Sequence, residues 1–156
     1  MLLTGTSPRT AALAATTASP RQGDRVFPAR PDQVREARRY VSTALAGCPV
    51  ADDVVLCVSE LASNSILHSN SGKADDTFTV RTAVLDGDYV QVEVQDNGGP
   101  WKEPTRNEGR PHGLDIVHAL ADDCGRDGDA LTGWIVWARF DWPTHDRQLI
   151  PPAPEH

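Results

Sequence analysis

Positive charge is scarce in this chain: 15 Lys and Arg stand against 22 Asp and Glu, leaving a formal charge of -7. A surface of that sign repels phosphate backbones and anionic lipid, so neither nucleic acid nor a membrane is an expected partner. Arg35, Arg38 and Arg39 do cluster, but on a helix such a group reads as a solvated face. Cysteine is scarce too. Cys48, Cys57 and Cys124 are odd in number and widely spaced, with no CxxC or CxxH pair. That argues against a disulfide framework or a zinc site and fits reduced thiols in a cytoplasmic protein. No apolar run approaches the roughly 20 residues of a membrane span. The opening "MLLTGTSPRTAALAATTASPRQ" lacks the charged start and unbroken apolar block of a secretory signal. Residues 1–23 and 144–156 are therefore expected to be disordered tails around one folded domain, 24–143.

What remains between the tails is patterned. "DRVFP" (24–28) reads as a short first strand stopped by proline, and Pro31 suits the first turn of a helix running to about Ala46. Val34, Ala37, Val41 and Leu45 give that helix its apolar stripe. A second helix spans about Ala51 to His68, with Asp52 and Asp53 where the helix dipole favours acids. Residues 69–76 are a loop by composition. Two strands, about Phe78–Leu85 and Tyr89–Gln95, meet at Asp86-Gly87-Asp88, a strong hairpin signal. Residues 97–111 hold three prolines and three glycines with almost no periodicity, a loop long enough to suggest function. A third helix follows from about His112 to Ala121, and "CGRDGDA" leads into a last strand, "TGWIVWARFDW". The sum is an α+β two-layer sandwich: a mostly antiparallel sheet with about three helices on one face.

One strand ends oddly. Val90, Val92 and Val94 alternate with polar residues, as in a strand with one buried face, and the next inward position is Asp96. "DNGG" after it could be a tight hairpin turn, yet Pro100, Pro104 and Pro111 make the following residues a poor partner strand. A carboxylate at the edge of a core needs hydrogen-bond donors, and neighbouring glycines let a ligand approach the backbone. On the second helix, Glu60, Asn64 and His68 fall at i, i+4 and i+8, one stripe flanked by Leu61, Ala62 and Leu67. A solvated polar face is the plain alternative. A carboxylate and a carboxamide so placed can also supply a base and a neutral oxygen ligand for a hard cation. Finally, "GRPHGLDIV" sets glycine directly before a helix, leaving backbone N–H groups suited to phosphate.

These segments, in this order, resemble the ATP-binding domain shared by gyrase, heat-shock chaperones, histidine kinases and MutL (the GHKL superfamily, with its Bergerat fold). "VSELASNSILHS" (58–69) resembles the N box, "DNGGP" the first glycine box and "HGLDIV" the second, while "GWIVWARF" is similar to the terminal strand of small members. Among those, the bacterial anti-sigma-factor serine kinases are most alike. The resemblance implies ATP and Mg²⁺ as ligands: Asn64 would hold the metal, Glu60 would be the general base, and Asp96 would accept from the adenine amino group. Gly98 would let the base lie close, residues 99–112 would form a lid, and His112, Gly113 and Leu114 would meet the nucleotide at the third helix. It further implies a serine/threonine protein kinase acting on a sigma factor or anti-sigma antagonist; the alternative is a nucleotide-dependent module that sequesters its partner without chemistry. Pro111 stands where relatives usually carry glycine, and Ile135 where they often carry threonine. Trp101, Trp137 and Trp142 could supply apolar surface for a homodimer, or simply pack in the core.

Overall fold

A computed structural model of the chain describes residues 19–68, 75–98 and 113–143. The two expected tails lie almost wholly outside these residues, as do 69–74 of the first loop and 99–112, the expected lid with His112. The described elements are strands β1 (Arg21–Pro28), β2 (Thr77–Leu85), β3 (Tyr89–Gln95), β4 (Asp123–Asp129) and β5 (Gly133–Asp141), with helices α1 (Gln33–Ala44), α2 (Ala51–His68) and α3 (Gly113–Leu120). The strands form one antiparallel sheet in the order β1-β2-β3-β5-β4. All three helices lie on one face. α2 is the middle helix, packed between α1 and α3 and across β3, while α1 covers β1 and β2 and α3 covers β4.

The alternation that writes β2 and β3 is the reason for this arrangement. Phe78, Val80, Val84, Val90, Val92 and Val94 point to the helices and are buried, and their neighbours along each strand, Tyr89 excepted, are only half-buried. The helices answer with stripes at three- and four-residue spacing: Ala37, Val41 and Leu45 about α1, and Val54, Cys57, Val58, Leu61 and Ala62 on α2. Phe27 of β1 stacks on Phe78 at 5.3 Å and meets the edge of Tyr40 at 6.0 Å, closing the β1 end of the core. Each such buried side chain contributes roughly 2 kcal/mol relative to exposure, so the interface between helices and sheet dominates the stability of the domain.

The differences from the sequence reading have local causes. β1 begins at Arg21 rather than Asp24, because pairing with β2 extends along the whole strand from Arg21↔Val84 to Pro28↔Thr77. α1 begins at Gln33, leaving Pro31 in the preceding turn: Gln33 N–H donates to the Arg30 carbonyl at 2.9 Å and Val34 N–H to that of Pro31 at 3.3 Å. Asp32 makes no side-chain cap on the helix; its carboxylate accepts from Arg30 and Gln33 instead. The larger miss is β4. "DCGRDGD" has the composition of a connection, since Gly and Asp are poor strand formers, yet it pairs with β5 over seven residues. The hairpin turn that makes this possible is held by Asp129, whose Oδ1 accepts from the N–H groups of Thr132 (2.7 Å) and Leu131 (2.8 Å) and from Thr132 Oγ1 (2.9 Å). Those hydrogen bonds, from Thr132 first, hold the exposed Asp129 carboxyl below its ordinary value.

Cys57 sits in the core stripe of α2, fully buried. Burial pushes its thiol up to about 12, and the charges of Asp53, Cys124 and Glu60 act in the same direction. The folded value lies above the ordinary 9.0, so the stability this thiol contributes is complete below that pH and is lost as pH rises towards 12. With a thiol alkylating reagent at pH 8, Cys48 and Cys124, both half-buried, are expected to react in the native protein, and Cys57 only after urea unfolding. Mass-spectrometric counting of labels checks this; three labels on the native chain would contradict it.

Candidate functional site

Asp96 follows β3 by one residue and continues its inward face, with 5% of its surface exposed. Its burial is compensated by main-chain donors. Oδ1 accepts from Gly98 N–H at 2.7 Å and from Trp134 N–H at 2.9 Å. The Asp96 N–H in turn donates to the Trp134 carbonyl at 2.9 Å. The carboxylate thus closes the turn at Gly98 and fastens the end of β3 to the start of β5. The segment is not a hairpin turn: β3 pairs with β2 on one side and β5 on the other. A carboxylate can accept about four hydrogen bonds, so this structural role for Oδ1 is compatible with recognition of a ligand by the same group.

Gly98 and Gly133 have a nearer cause than a ligand. Gly98 has φ +86°, and a Cβ there would collide with the Ala130 carbonyl; Gly133 has φ +111°, and a Cβ would collide with the Asp96 carbonyl. Both positions let residues 96–98 lie directly against the β4–β5 hairpin.

On α2, Glu60 and Asn64 stand one turn apart and are half-buried, bordered by buried Leu61, Ala62 and Ser65. The boundary with solvent is crossed before the helix ends, since Leu67, expected beside the stripe, is 71% exposed. The His68 side chain lies outside the described residues. Gly113 opens α3 and Leu114 follows it, half-buried and packed against the core. Leu114, Val117 and His118 of α3 join Cys124 and Arg126 of β4 and Val136 of β5 around a cavity of about 340 Å³. At its wall, Cys124 Sγ lies 3.2 Å from His118 Nδ1, linking α3 to the edge strand. The fold therefore makes neighbours of α2, the end of β3 and α3, the elements carrying Glu60, Asn64, Asp96, Gly113 and Leu114.

A larger cavity, about 580 Å³, lies on the uncovered face of the sheet beside Asp24, Arg81, Gln91 and Glu93. It includes none of the residues singled out in the sequence. Its polar lining is tied up locally, with Arg81 donating to Gln95 at 2.6 Å and lying 4.0 Å from Glu93. We take the helix-covered side as the site, because its polar groups are buried or half-buried at the sheet end rather than spread on an open face. Ile135, opposite Gln95 in the register, belongs to that open face, so the hydroxyl it lacks would not reach a site under the helices. The inward residue beside Asp96 is Trp134. Counting back by twos from the buried Phe140 and Ala138 finds it, a signal present in the sequence.

The double attachment of Asp96 predicts a stability effect separate from any ligand. Asp96→Ala strands two N–H donors, one buried and one half-buried, and is expected to cost about 3 kcal/mol, whereas Asp96→Asn keeps a carbonyl acceptor and most of the stability. Urea unfolding of the two variants beside the parent checks this. Equal losses would refute the acceptor role.

Compared with known proteins, no curated protein matches the chain. A model of the histidine kinase-like ATPase domain matches residues 27–140, from β1 through most of β5 and therefore across every element just described. The five-stranded antiparallel sheet under three helices is the architecture that match requires. The chain belongs to the histidine kinase-like ATPase domain family, and ATP binding comes with that membership.

Proposed function

We propose that the protein binds Mg-ATP on the helix-covered side of the sheet end and passes the γ-phosphoryl group to a serine or threonine hydroxyl of a regulatory protein partner, in the manner of the anti-sigma-factor kinases. The observation that carries the reading is Asp96: a carboxylate buried at the tip of β3, beneath the same layer that contains Glu60 and Asn64. Asp96 accepts from the adenine amino group. Gly113 and Leu114 receive the phosphates at the start of α3, where main-chain N–H groups and the helix dipole favour anions.

The side-chain chemistry suits a metal bridging phosphate. Among the described residues, no group of three or more His, Cys, Asp or Glu is placed to hold a cation unaided. Mg²⁺ commonly takes one or two protein oxygens and completes its shell with phosphate and water, and the Asn64 carboxamide is a ligand of that kind. When bound, the ion neutralises charge on the triphosphate. Glu60, one turn earlier, takes the proton from the attacking hydroxyl. The hydroxyl oxygen bonds to the γ-phosphorus as the bond to the departing ADP oxygen breaks. A sequestering module without this step is the second reading, favoured by Pro111, which removes one N–H donor from the phosphate loop.

Each role has its own expected outcome. Asn64→Ala loses Mg-dependent ATP binding in calorimetric titration. Glu60→Ala binds ATP as the parent does and lowers transfer of labelled γ-phosphate to the partner by about 100-fold or more. Asp96→Asn, stable as argued above, binds ATP at least about tenfold more weakly, because its amide turns a donor towards the adenine amino group. Unchanged transfer by Glu60→Ala would remove the base assignment. Tight ATP binding with no label on any partner would leave the sequestering reading.

A further inference from the structure

The helix-covered face of the sheet carries two further side chains next to Asp96. Trp134 belongs to the inward series of β5 with Val136, Ala138 and Phe140, and its main chain is bonded to Asp96 in both directions. Asp96 and Trp134 are thus adjacent, inward and at the same end of the sheet. Across from Trp134 in the register is Gly128, which has no side chain. Arg126, opposite Val136 on β4, extends over the indole instead, its guanidinium carbon 4.9 Å from the ring centroid. Arg126 is exposed and Trp134 half-buried. An acceptor, an aromatic plane and a cation therefore stand in a row from β3 through β5 to β4, one strand apart.

That row has the chemistry of purine recognition. A carboxylate selects an exocyclic amino group, an indole stacks on any purine, and a guanidinium held over the indole polarises its face. We propose that Trp134, backed by Arg126, forms a wall of the base pocket and contributes stacking to nucleotide affinity. This rests on the nucleotide site described in the preceding subsection. Asp96 then discriminates adenine from guanine, while Trp134 adds affinity common to both. Arg126 acts through Trp134 as a positioning residue, its guanidinium resting over the indole.

The test is ATP titration of the full chain by calorimetry and by tryptophan fluorescence, for the parent, Trp134→Leu and Trp134→Phe. Leu keeps the apolar bulk on β5 without a π face, and Phe keeps a ring without the indole fluorophore. Trp134→Leu is expected to bind ATP about tenfold more weakly, and Trp134→Phe within about threefold of the parent. The ATP-dependent fluorescence change should shrink in Trp134→Phe, where any residual signal comes from Trp101 of the expected lid, Trp137 or Trp142. Parental affinity in Trp134→Leu would overturn the inference while leaving the ATP site intact. So would a fluorescence change as large in Trp134→Phe as in the parent, a readout that still decides if the Leu variant does not fold. A parent that binds no ATP would overturn the site itself, and this wall with it.

Discussion

The link between Asp96 and the main chain of Trp134 is the constraint on which the rest of the site depends. A buried carboxylate with no donors costs several kcal/mol. Here the donors are main-chain N–H groups from its own turn and from β5. They can reach Asp96 only because Gly98 and Gly133 have no Cβ to hold the two segments apart. The hairpin beyond Gly133 must in turn be fixed, and Asp129 fixes it by collecting three donors across the turn. Two exposed or half-exposed loops and two positive-φ glycines are thus organised around one acid. A carboxylate held this way is oriented before any ligand arrives, and in the proposed site that lowers the entropic cost of binding.

The two faces of the sheet show why burial decides where chemistry is placed. The outer face is polar, with Arg81 near Glu93 and Gln95, and Arg139 near Asp123 and Asp141. Arg81 and Glu93 meet in contact with water, where such pairs contribute little, whereas Arg139 is largely covered between its two acids. On the inner face, Asp96 is buried at the sheet's end, and Glu60 and Asn64 lie half-buried on the border of α2's stripe. Coulomb and hydrogen-bond interactions are stronger there because less water competes. The open face has the larger cavity, and the covered one has the groups whose chemistry could be used.

Much of this was legible in the residues. Period-two valines announce β3, and the carboxylate that breaks the period is the one the fold buries at the end of the sheet. The i, i+3, i+4 stripes placed α1 and α2 within a residue or two. What escaped was whatever depended on a partner. β4 is a strand only because β5 offers it a ladder, and no local preference of "DCGRDGD" could announce that. Gly98 read as room for a ligand, whereas its neighbour is the β4–β5 turn, some thirty residues away in sequence. Ile135 drew notice for the hydroxyl it lacks, although the alternation of β5 sets it on the far face and gives the inward place to Trp134.

That last displacement bears on how such a site can vary. An inward position one strand from the carboxylate is fixed by register, so whatever side chain occupies it lies beside Asp96 and, on the proposed reading, borders the base pocket. A small hydroxyl residue there would act through a hydrogen bond, and a tryptophan can act only through its face and its bulk. Bulk alone would fill the pocket. Arg126 lies over the ring, and Gly128 across the register lets the two strands close, since a Cβ there would meet the Gly133 carbonyl. The neighbouring strand thus fixes both the main chain ahead of Trp134 and the cation on its ring, so on the proposed reading β4 shapes the pocket as much as the residue it supports.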